Sequence, residues 1–167
     1  IERSHNMSKF ITNFADVIKI PKAELKTTDI NERIEASIRF MEVVCNNRNI
    51  ELKFTPDNKM PPIPIDVILF DQALQNIIKN SAESIGTNGF IHITTDSNTN
   101  SFTIADNGKG ISKDAESKLF SPFFSTKPLG QGIGLMFIQE VLSQHNCQYS
   151  LHTGEDRLTR FNILFKR

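Results

Sequence analysis

Apolar residues recur at helical spacing in four stretches of the chain. Residues 1–20 carry apolar side chains three or four positions apart, which predicts a helix that ends at Pro21. Asp29, with Glu32 three positions later, has the form of a capping box for the next helix. This helix is predicted over about 30–47, and two others over about 66–85 and 132–145. A short helical piece is predicted over 114–119.

Short apolar or alternating runs between polar turns predict the strands. They lie at about 51–55, 90–95, 101–105, 148–153 and 159–165. Residues 60–64 include three prolines, so they are predicted as an extended crossing or a short edge strand. Because helices and strands mix without strict alternation, we expect an α/β (α+β) fold, a two-layer sandwich with a mixed sheet.

Composition narrows the class of protein. The chain has 167 residues, about one domain, and its 19 basic and 19 acidic side chains create no overall field that would recruit nucleic acid or a membrane. No run approaches the roughly 20 apolar residues of a membrane span, and the first residues lack a signal-peptide pattern. Cys45 and Cys147 are far apart, which indicates two small core residues in a reducing compartment. The start at Ile1 suggests a fragment of a longer protein.

The candidate chemistry centres on residues 106–111, D-N-G-K-G-I, which follow a predicted strand. Gly108 and Gly110 permit a sharp turn with no Cβ in the way of a flat ligand. Asp106 stands where a strand ends, a common place for a binding group. The pattern alone also fits an ordinary hairpin turn.

Two amides share one face of the helix predicted over 66–85. Asn76 and Asn80 are four positions apart. Asparagine is unfavourable inside a helix, because its side chain competes for backbone hydrogen bonds. The pair is therefore either a solvated polar face or a source of amide oxygen for a hard cation such as Mg²⁺.

Two further segments are candidates for contact with phosphate. Residues 119–127, L-F-S-P-F-F-S-T-K, form a loop with three phenylalanines, which are expected to anchor it. Lys127 at its end is also a candidate to reach phosphate oxygens. Residues 130–135, G-Q-G-I-G-L, open a predicted helix, where backbone N–H groups and the helix dipole favour anions. The glycine pattern is neither a P-loop nor a Rossmann motif, because it lacks the Lys-Ser/Thr ending and follows a loop.

Taken in order, these segments resemble a known family. N-x-x-x-N on a helix, D-x-G-x-G-I after a strand, L-F-x-P-F-F-S-T-K, and G-x-G-x-G-L opening a helix resemble the N, G1, F and G2 boxes of sensor histidine kinases, in the GHKL superfamily. The match covers roughly residues 28–167, and residues 159–164 resemble the family's final strand. It implies the Bergerat ATP-binding fold, with a mostly antiparallel sheet and helices packed on one face.

The resemblance implies a role for each matching residue. Asp106 would accept a hydrogen bond from the adenine amino group, and Gly108 and Gly110 would let the base approach the backbone. Asn80 would ligate Mg²⁺, and Asn76 would lie beside the triphosphate. Residues 112–131 would be the mobile ATP lid. The remaining residues implied to bind ATP are Lys79, Ile111, Lys127, Gly130, Gln131, Gly132, Ile133, Gly134, Leu135 and Thr159.

The resemblance also implies a division of the chain. Residues 1–21 resemble the end of the second helix of the dimerisation and phosphotransfer hairpin, 22–28 would be a linker, and 29–167 the catalytic ATP-binding domain. The implied activity is transfer of the γ-phosphoryl group of ATP to a histidine on the protein's own dimerisation domain, in a homodimer. From there it would pass to an aspartate of a response regulator receiver domain.

The four histidines of the chain lie outside any H-E-x-x-x-P-type acceptor motif. We therefore expect the fragment to bind ATP but to be unable to phosphorylate itself, and to contact neither nucleic acid nor membrane. The expected compartment is the cytoplasm, with the full-length protein either free or anchored in the inner membrane.

The main alternative is a GHKL-type ATPase or a nucleotide-gated interaction module. The ATPases of the superfamily activate water with a glutamate four residues before the metal-binding asparagine. This chain has Asn76 there, and an amide cannot act as a general base near neutral pH. Glu83, one turn after Asn80, is a weak substitute, so the kinase interpretation is favoured.

Overall fold

A computed structural model describes residues 20–120 and 133–166. The helix predicted over 1–20 and most of the segment that includes Lys127, Gly130, Gln131 and Gly132 therefore lie outside the described residues. The described helices are α1 Ile30–Asn47, α2 Val67–Ile85, α3 Lys113–Glu116 and α4 Ile133–Gln144. The described strands are β1 Lys26–Thr28, β2 Ile50–Thr55, β3 Ile63–Ile65, β4 Gly89–Asp96, β5 Ser101–Asp106, β6 Cys147–Thr153 and β7 Thr159–Phe165.

Within the described ranges, the main sheet has five strands in the order β2–β4–β5–β7–β6. β2 pairs with β4 in parallel, and the other neighbouring pairs are antiparallel. Alternate residues of β4, β5 and β7 are buried, so one face of the sheet carries the core. α1, α2 and α4 pack on that face. The predicted two-layer sandwich of a mixed, mostly antiparallel sheet with helices on one face is confirmed.

One cluster of buried apolar side chains fills the space between the sheet and the helices. Phe102 of β5 lies at its centre and is 1% exposed. Its ring centroid is 5.9 Å from that of Phe70 on α2 and 5.7 Å from that of Phe165 on β7. Other fully buried members are Ile34, Leu74, Ile78, Ile91, Ile93, Ile104, Ile138 and Ile163.

Both cysteines belong to this core. Cys45 and Cys147 are free thiols with buried side chains, as predicted. Burial raises the pKa of the Cys147 thiol to about 12, so the thiol stays protonated and unreactive near neutral pH.

Aspartates begin the two long helices as predicted. Asp29 accepts a hydrogen bond from the Glu32 N–H group at 3.3 Å, and Asp66 accepts one from the Leu69 N–H group at 3.1 Å. Each carboxylate satisfies a backbone donor that has no partner within the helix. α1 and α2 consequently start within one residue of their predicted positions.

The second, smaller sheet was predicted only in part: β3 is the short edge strand expected within the proline-rich segment, whereas β1 was not predicted. β1 forms within the segment 22–28 that was expected to be linker, and it pairs antiparallel with the proline-rich β3. Its register joins Lys26 to Ile65 and Thr28 to Ile63. Strands of three residues carry little periodicity, so their pairing is decided by tertiary contact. α3 is also shorter than the predicted 114–119 piece.

We expect Phe102→Ala to lower the free energy of unfolding by about 3–5 kcal/mol, because it leaves a cavity between α2 and the sheet. Urea unfolding monitored by circular dichroism measures this loss. Phe40→Ala is the matched control, since Phe40 is 67% exposed and its truncation should change the free energy of unfolding by less than about 0.5 kcal/mol. Equal losses for the two variants would contradict this account of the core.

Candidate functional site

The buried face of the sheet becomes polar at one end. Asp106, the last residue of β5, pairs in register with Ile91 of β4 and with Thr159 of β7. Thr159 in turn pairs with Thr153 of β6. Asp106 is 4% exposed and Thr159 is 6% exposed. The sheet thus places a carboxylate and two hydroxyl groups in one row, at the border of the apolar core.

The Asp106 carboxylate is held by both the following loop and α2. Its Oδ1 atom accepts a hydrogen bond from the Gly108 N–H group at 2.9 Å. Ser81, on α2, supplies a second hydrogen bond from its side chain. Burial raises the pKa of Asp106, and the bonds from Gly108 and Ser81 only partly oppose this effect. A fixed acceptor in an apolar setting is suited to recognising a donor such as an amino group.

The loop after Asp106 lies directly against the C-terminal end of α2. The Lys109 N–H group donates to the Ser84 carbonyl oxygen at 3.1 Å. A Cβ atom on Gly108 would overlap Ser84 Oγ and would lie 2.8 Å from the Ser84 carbonyl carbon. Gly108 is therefore required for the loop to approach the helix, a second reason for glycine beside the predicted approach of a ligand.

The other end of the loop is held by β6. Gly110 has a φ of +80°, in the region that favours glycine. The Ile111 N–H group donates to Thr153 Oγ1 at 2.8 Å, and Thr153 Oγ1 lies 2.8 Å from Thr159 Oγ1. Two predicted site residues, Ile111 and Thr159, are thus joined through Thr153, which the sequence analysis did not single out.

Asn80 connects this region to α4. A Cβ atom on Gly134 would lie 3.9 Å from Asn80 Nδ2, so the start of α4 lies beside the amide. Asn80 is the neighbour of Ser81 on α2 and is half-buried. One turn of α2 therefore contacts both the Asp106 carboxylate and the glycine-rich start of α4.

The other predicted residues on α2 lie toward α1. Asn76 and Lys79 line a groove of about 290 Å³ between α1 and α2, and Glu83 lines the same groove. Its remaining lining residues are Phe40, Met41, Val44, Arg48, Gln75 and Ala82. Lys79 is therefore placed beside α1, whereas Asn80 is placed beside α4.

Leu135, on α4, is half-buried and packs against the core. Of Ile133 only the backbone is described, as the first residue of α4. Among the described residues, no group of three or more histidine, cysteine, aspartate or glutamate side chains could hold a metal ion. In the same part of the chain, no helix combines the length and the apolar character needed to cross a membrane.

Sequence reasoning missed the residues that hold the site together. They are Ser81, Ser84, Asn107 and Thr153. Asn107 holds the loop to β4, because its Oδ1 atom accepts a hydrogen bond from the Phe90 N–H group at 2.8 Å. Ser81 had one available signal, because it is adjacent to Asn80. Thr153 had another, because it faces Thr159 in the predicted hairpin.

Comparison with known proteins identifies the class to which this fold and site belong. Residues 65–167 match the model of the family described as histidine kinase-, DNA gyrase B- and HSP90-like ATPases. The chain belongs to this family, and the described domain is an ATP-binding catalytic domain of the histidine kinase type. The resemblance drawn from the four sequence motifs is confirmed.

Particular relatives agree with this assignment. The chain is 26% identical to the sensor histidine kinase ZraS of Escherichia coli (strain K12) over 164 residues, 97% of this chain and 35% of ZraS. A nucleotide-free catalytic domain of histidine kinase ThkA has a TM-score of 0.74 and 27% identity, covering 84% of this chain and 95% of that one. The structure of ThkA in complex with response regulator protein TrrA has a TM-score of 0.69 and 26% identity, covering 98% of this chain and 49% of that one. The chain thus spans about a third of the length of ZraS.

We expect Asp106→Asn to raise the free energy of unfolding of the nucleotide-free protein at pH 7, by on the order of 1 kcal/mol. Burial raises the pKa of Asp106, so its contribution to stability is greatest below the ordinary aspartate range and is lost as the pH rises through the raised pKa. The neutral amide avoids this loss and still accepts from Gly108.

Urea unfolding between pH 7 and pH 4 tests this expectation. The advantage of Asp106→Asn should shrink as the pH falls, because wild-type Asp106 becomes neutral as well. Asp114→Asn, at a side chain 89% exposed, is the control and should stay within about 0.5 kcal/mol of the wild type. An Asp106→Asn variant that is less stable at every pH would refute the interpretation of a costly buried charge.

Proposed function

We propose that this domain binds ATP with Mg²⁺ at the site between Asp106 and Asn80, and donates the γ-phosphoryl group to a histidine of the same protein's dimerisation domain. A response regulator receiver domain would then accept the group on an aspartate. The observation that carries the proposal is the joint contact of α2 with the buried Asp106 and, through the adjacent Asn80, with the glycine-rich start of α4.

Asp106 is the residue proposed to select adenine. Its carboxylate is buried and is fixed by Gly108 and Ser81, at the border between the apolar core and the hydroxyl groups of Thr153 and Thr159. A flat base lying there would find apolar walls and one fixed acceptor for its exocyclic amino group. We assign Gly108, Gly110, Ile111 and Thr159 to the same end, because they belong to the loop and strands that surround Asp106.

Asn80 is proposed as the protein ligand of Mg²⁺. Mg²⁺ prefers oxygen ligands and is usually held in such sites by few protein groups, with phosphates and waters completing the octahedron. The Asn80 amide fits this role, and its neighbour Gly134 opens a helix whose N–H groups favour phosphate. We assign Asn76, one turn before Asn80, to the triphosphate. Lys79 lines the groove beside α1, so we assign it no contact with ATP. The glycine-rich residues outside the described ranges, with Lys127, would complete the contact with phosphate.

Transfer is favoured over hydrolysis by the groups present on α2. The position one turn before Asn80 is occupied by Asn76, whose amide cannot take a proton from water near neutral pH. Glu83, the weak substitute for such a base, lines the groove between α1 and α2 together with Lys79 and Arg48. Bound ATP would therefore keep its γ-phosphoryl group until an acceptor arrives.

The acceptor histidine and the regulator are assigned by analogy. ThkA, which is similar to this chain, has been solved in complex with the response regulator TrrA, and this supports the same kind of partner here. We propose that residues 1–21 belong to the dimerisation and phosphotransfer domain, and residues 29–167 to the catalytic domain. The proposed compartment is the cytoplasm, where a response regulator would be available.

Calorimetric titration of a non-hydrolysable ATP analogue, with and without Mg²⁺, tests the site. We expect Asp106→Asn to weaken binding at least about a hundredfold, because a donor amide then faces the adenine amino group. Asn80→Ala should mainly remove the Mg²⁺ dependence. Asn98→Ala, in the exposed turn between β4 and β5, is the control for loss of an amide and should bind like the wild type. Tight binding by Asp106→Asn would overturn the assignment of adenine recognition.

A further inference from the structure

α2 and α4 form an antiparallel pair with two distinct ends. At one end, Gly134 of α4 lies beside Asn80 of α2. At the other end, the Asp66 N–H group, just before α2, donates to His145 Nε2, just after α4, at 2.9 Å. With about 1.5 Å per residue, the 14 residues from 66 to 80 span about 20 Å. The helix pair therefore links the proposed nucleotide site to a contact about 20 Å away.

The far end of the pair is tied together by His145. Its side chain is 6% exposed. His145 Nδ1 lies 2.7 Å from the Val141 carbonyl oxygen, to which it donates, because Nε2 is occupied as the acceptor from Asp66. The imidazole thus joins the last turn of α4 to the first residue before α2.

Residues 20–24, here called the docked segment, lie across this end. The Ala23 N–H group donates to Gln144 Oε1 at 2.6 Å, and the Glu24 N–H group donates to Asp66 Oδ2 at 2.9 Å. The segment therefore bonds to the N-cap residue of α2 and to the last residue of α4. The pKa of Asp66 is lowered, chiefly by the bond from Glu24, as expected for a carboxylate that accepts backbone donors.

Apolar packing adds to these two bonds. Leu69 and Ala73 of α2 and Val141 of α4 form a small buried cluster where the two helices meet. Ile20 and Ala23 pack against it from the docked segment, and Phe137 packs against it from α4. This cluster is separate from the main core and fills the space between the two helices. The docked segment thus touches the contact that sets the spacing of α2 and α4.

We propose that the docked segment positions α2 against α4, so that its docking and nucleotide binding at the other end favour each other. The inference rests on the proposed function, because Asn80 and Gly134 are its point of action. Docking would hold the two helices at the spacing in which Asn80 and Gly134 meet the triphosphate. By reciprocity, a nucleotide that bridges those residues would stabilise the docked state. Displacement of the docked segment would then weaken nucleotide binding without contact with the site.

The key variant is Gln144→Ala, which removes the acceptor for Ala23 and leaves the nucleotide site intact. We expect it to weaken binding of the ATP analogue about fivefold, a typical coupling between sites, and to speed amide exchange at Ala23 and Glu24. In the wild type, the analogue should slow exchange at these two amides. Gln144→Glu keeps an acceptor oxygen and should restore affinity to within about twofold. Ser143→Ala, at the exposed neighbour on the same helix, is the control.

Two results would overturn the proposal. One is faster exchange at Ala23 and Glu24 in Gln144→Ala with unchanged affinity, which would show that docking has no effect on the site. The other is unchanged exchange at both amides, which would show that Gln144 does not hold the segment. Ile20→Ala provides a second test through the apolar contact, and it should lower the affinity in the same direction.

A wild type that binds no nucleotide would overturn the proposed function rather than the coupling. Exchange at the Lys109 amide then decides the coupling, because this amide donates to Ser84 at the nucleotide end of α2. In the nucleotide-free protein, Gln144→Ala should speed that exchange by at least about threefold if the docked segment positions the helix. An unchanged rate at Lys109 would refute the coupling by itself.

Discussion

The site depends on how closely the C-terminal end of α2 approaches the loop after β5. Ser81 bonds to the buried Asp106 carboxylate, and Ser84 accepts from the Lys109 N–H group. Only a residue without Cβ fits at position 108, because Ser84 occupies that space. Asn80 precedes Ser81 on α2 and lies beside the start of α4. The position of α2 against the loop therefore also places Asn80, the proposed Mg²⁺ ligand. A shift of α2 by an ångström would disturb the carboxylate, the loop and the amide together.

The same arrangement lowers the stability of the fold, because it buries the Asp106 carboxylate. Asp106 lies in a row with Ile91 and Thr159 at the edge of the core, where a charge is poorly solvated. The bonds from Gly108 and Ser81 offset part of this cost. A side chain that is unfavourable in the empty domain but fixed in position is suited to binding, because little reorganisation is needed when a donor arrives. The apolar cluster around Phe102 provides the stability that offsets this cost. Phe102 lies on the same face of β5 as Asp106, with Ile104 between them.

Local sequence was sufficient for most of the fold. Helix periodicity with Asp29 and Asp66 as caps predicted α1 and α2, and alternation predicted β7 with its observed bounds. Motif order was sufficient for the family, because four segments had to appear in register. β1 was not predictable in this way, since its three exposed or half-buried residues pair with a proline-rich strand about 37 positions away. The separation of Lys79 from Asn80, on different sides of α2, also required the positions of α1 and α4.

Local features of the sequence pointed to the segments that we assign to the site: a carboxylate followed by two glycines, two amides one turn apart, and a glycine-rich helix start. These are local features, and their backbone requirements are met within a few residues. The packing of whole elements brings Thr153 to Ile111, places Ser81 and Ser84 against the loop, and docks residues 20–24 across Asp66 and Gln144. Such contacts join segments distant in the chain, so they depend on how whole elements pack and leave no periodic pattern in the sequence.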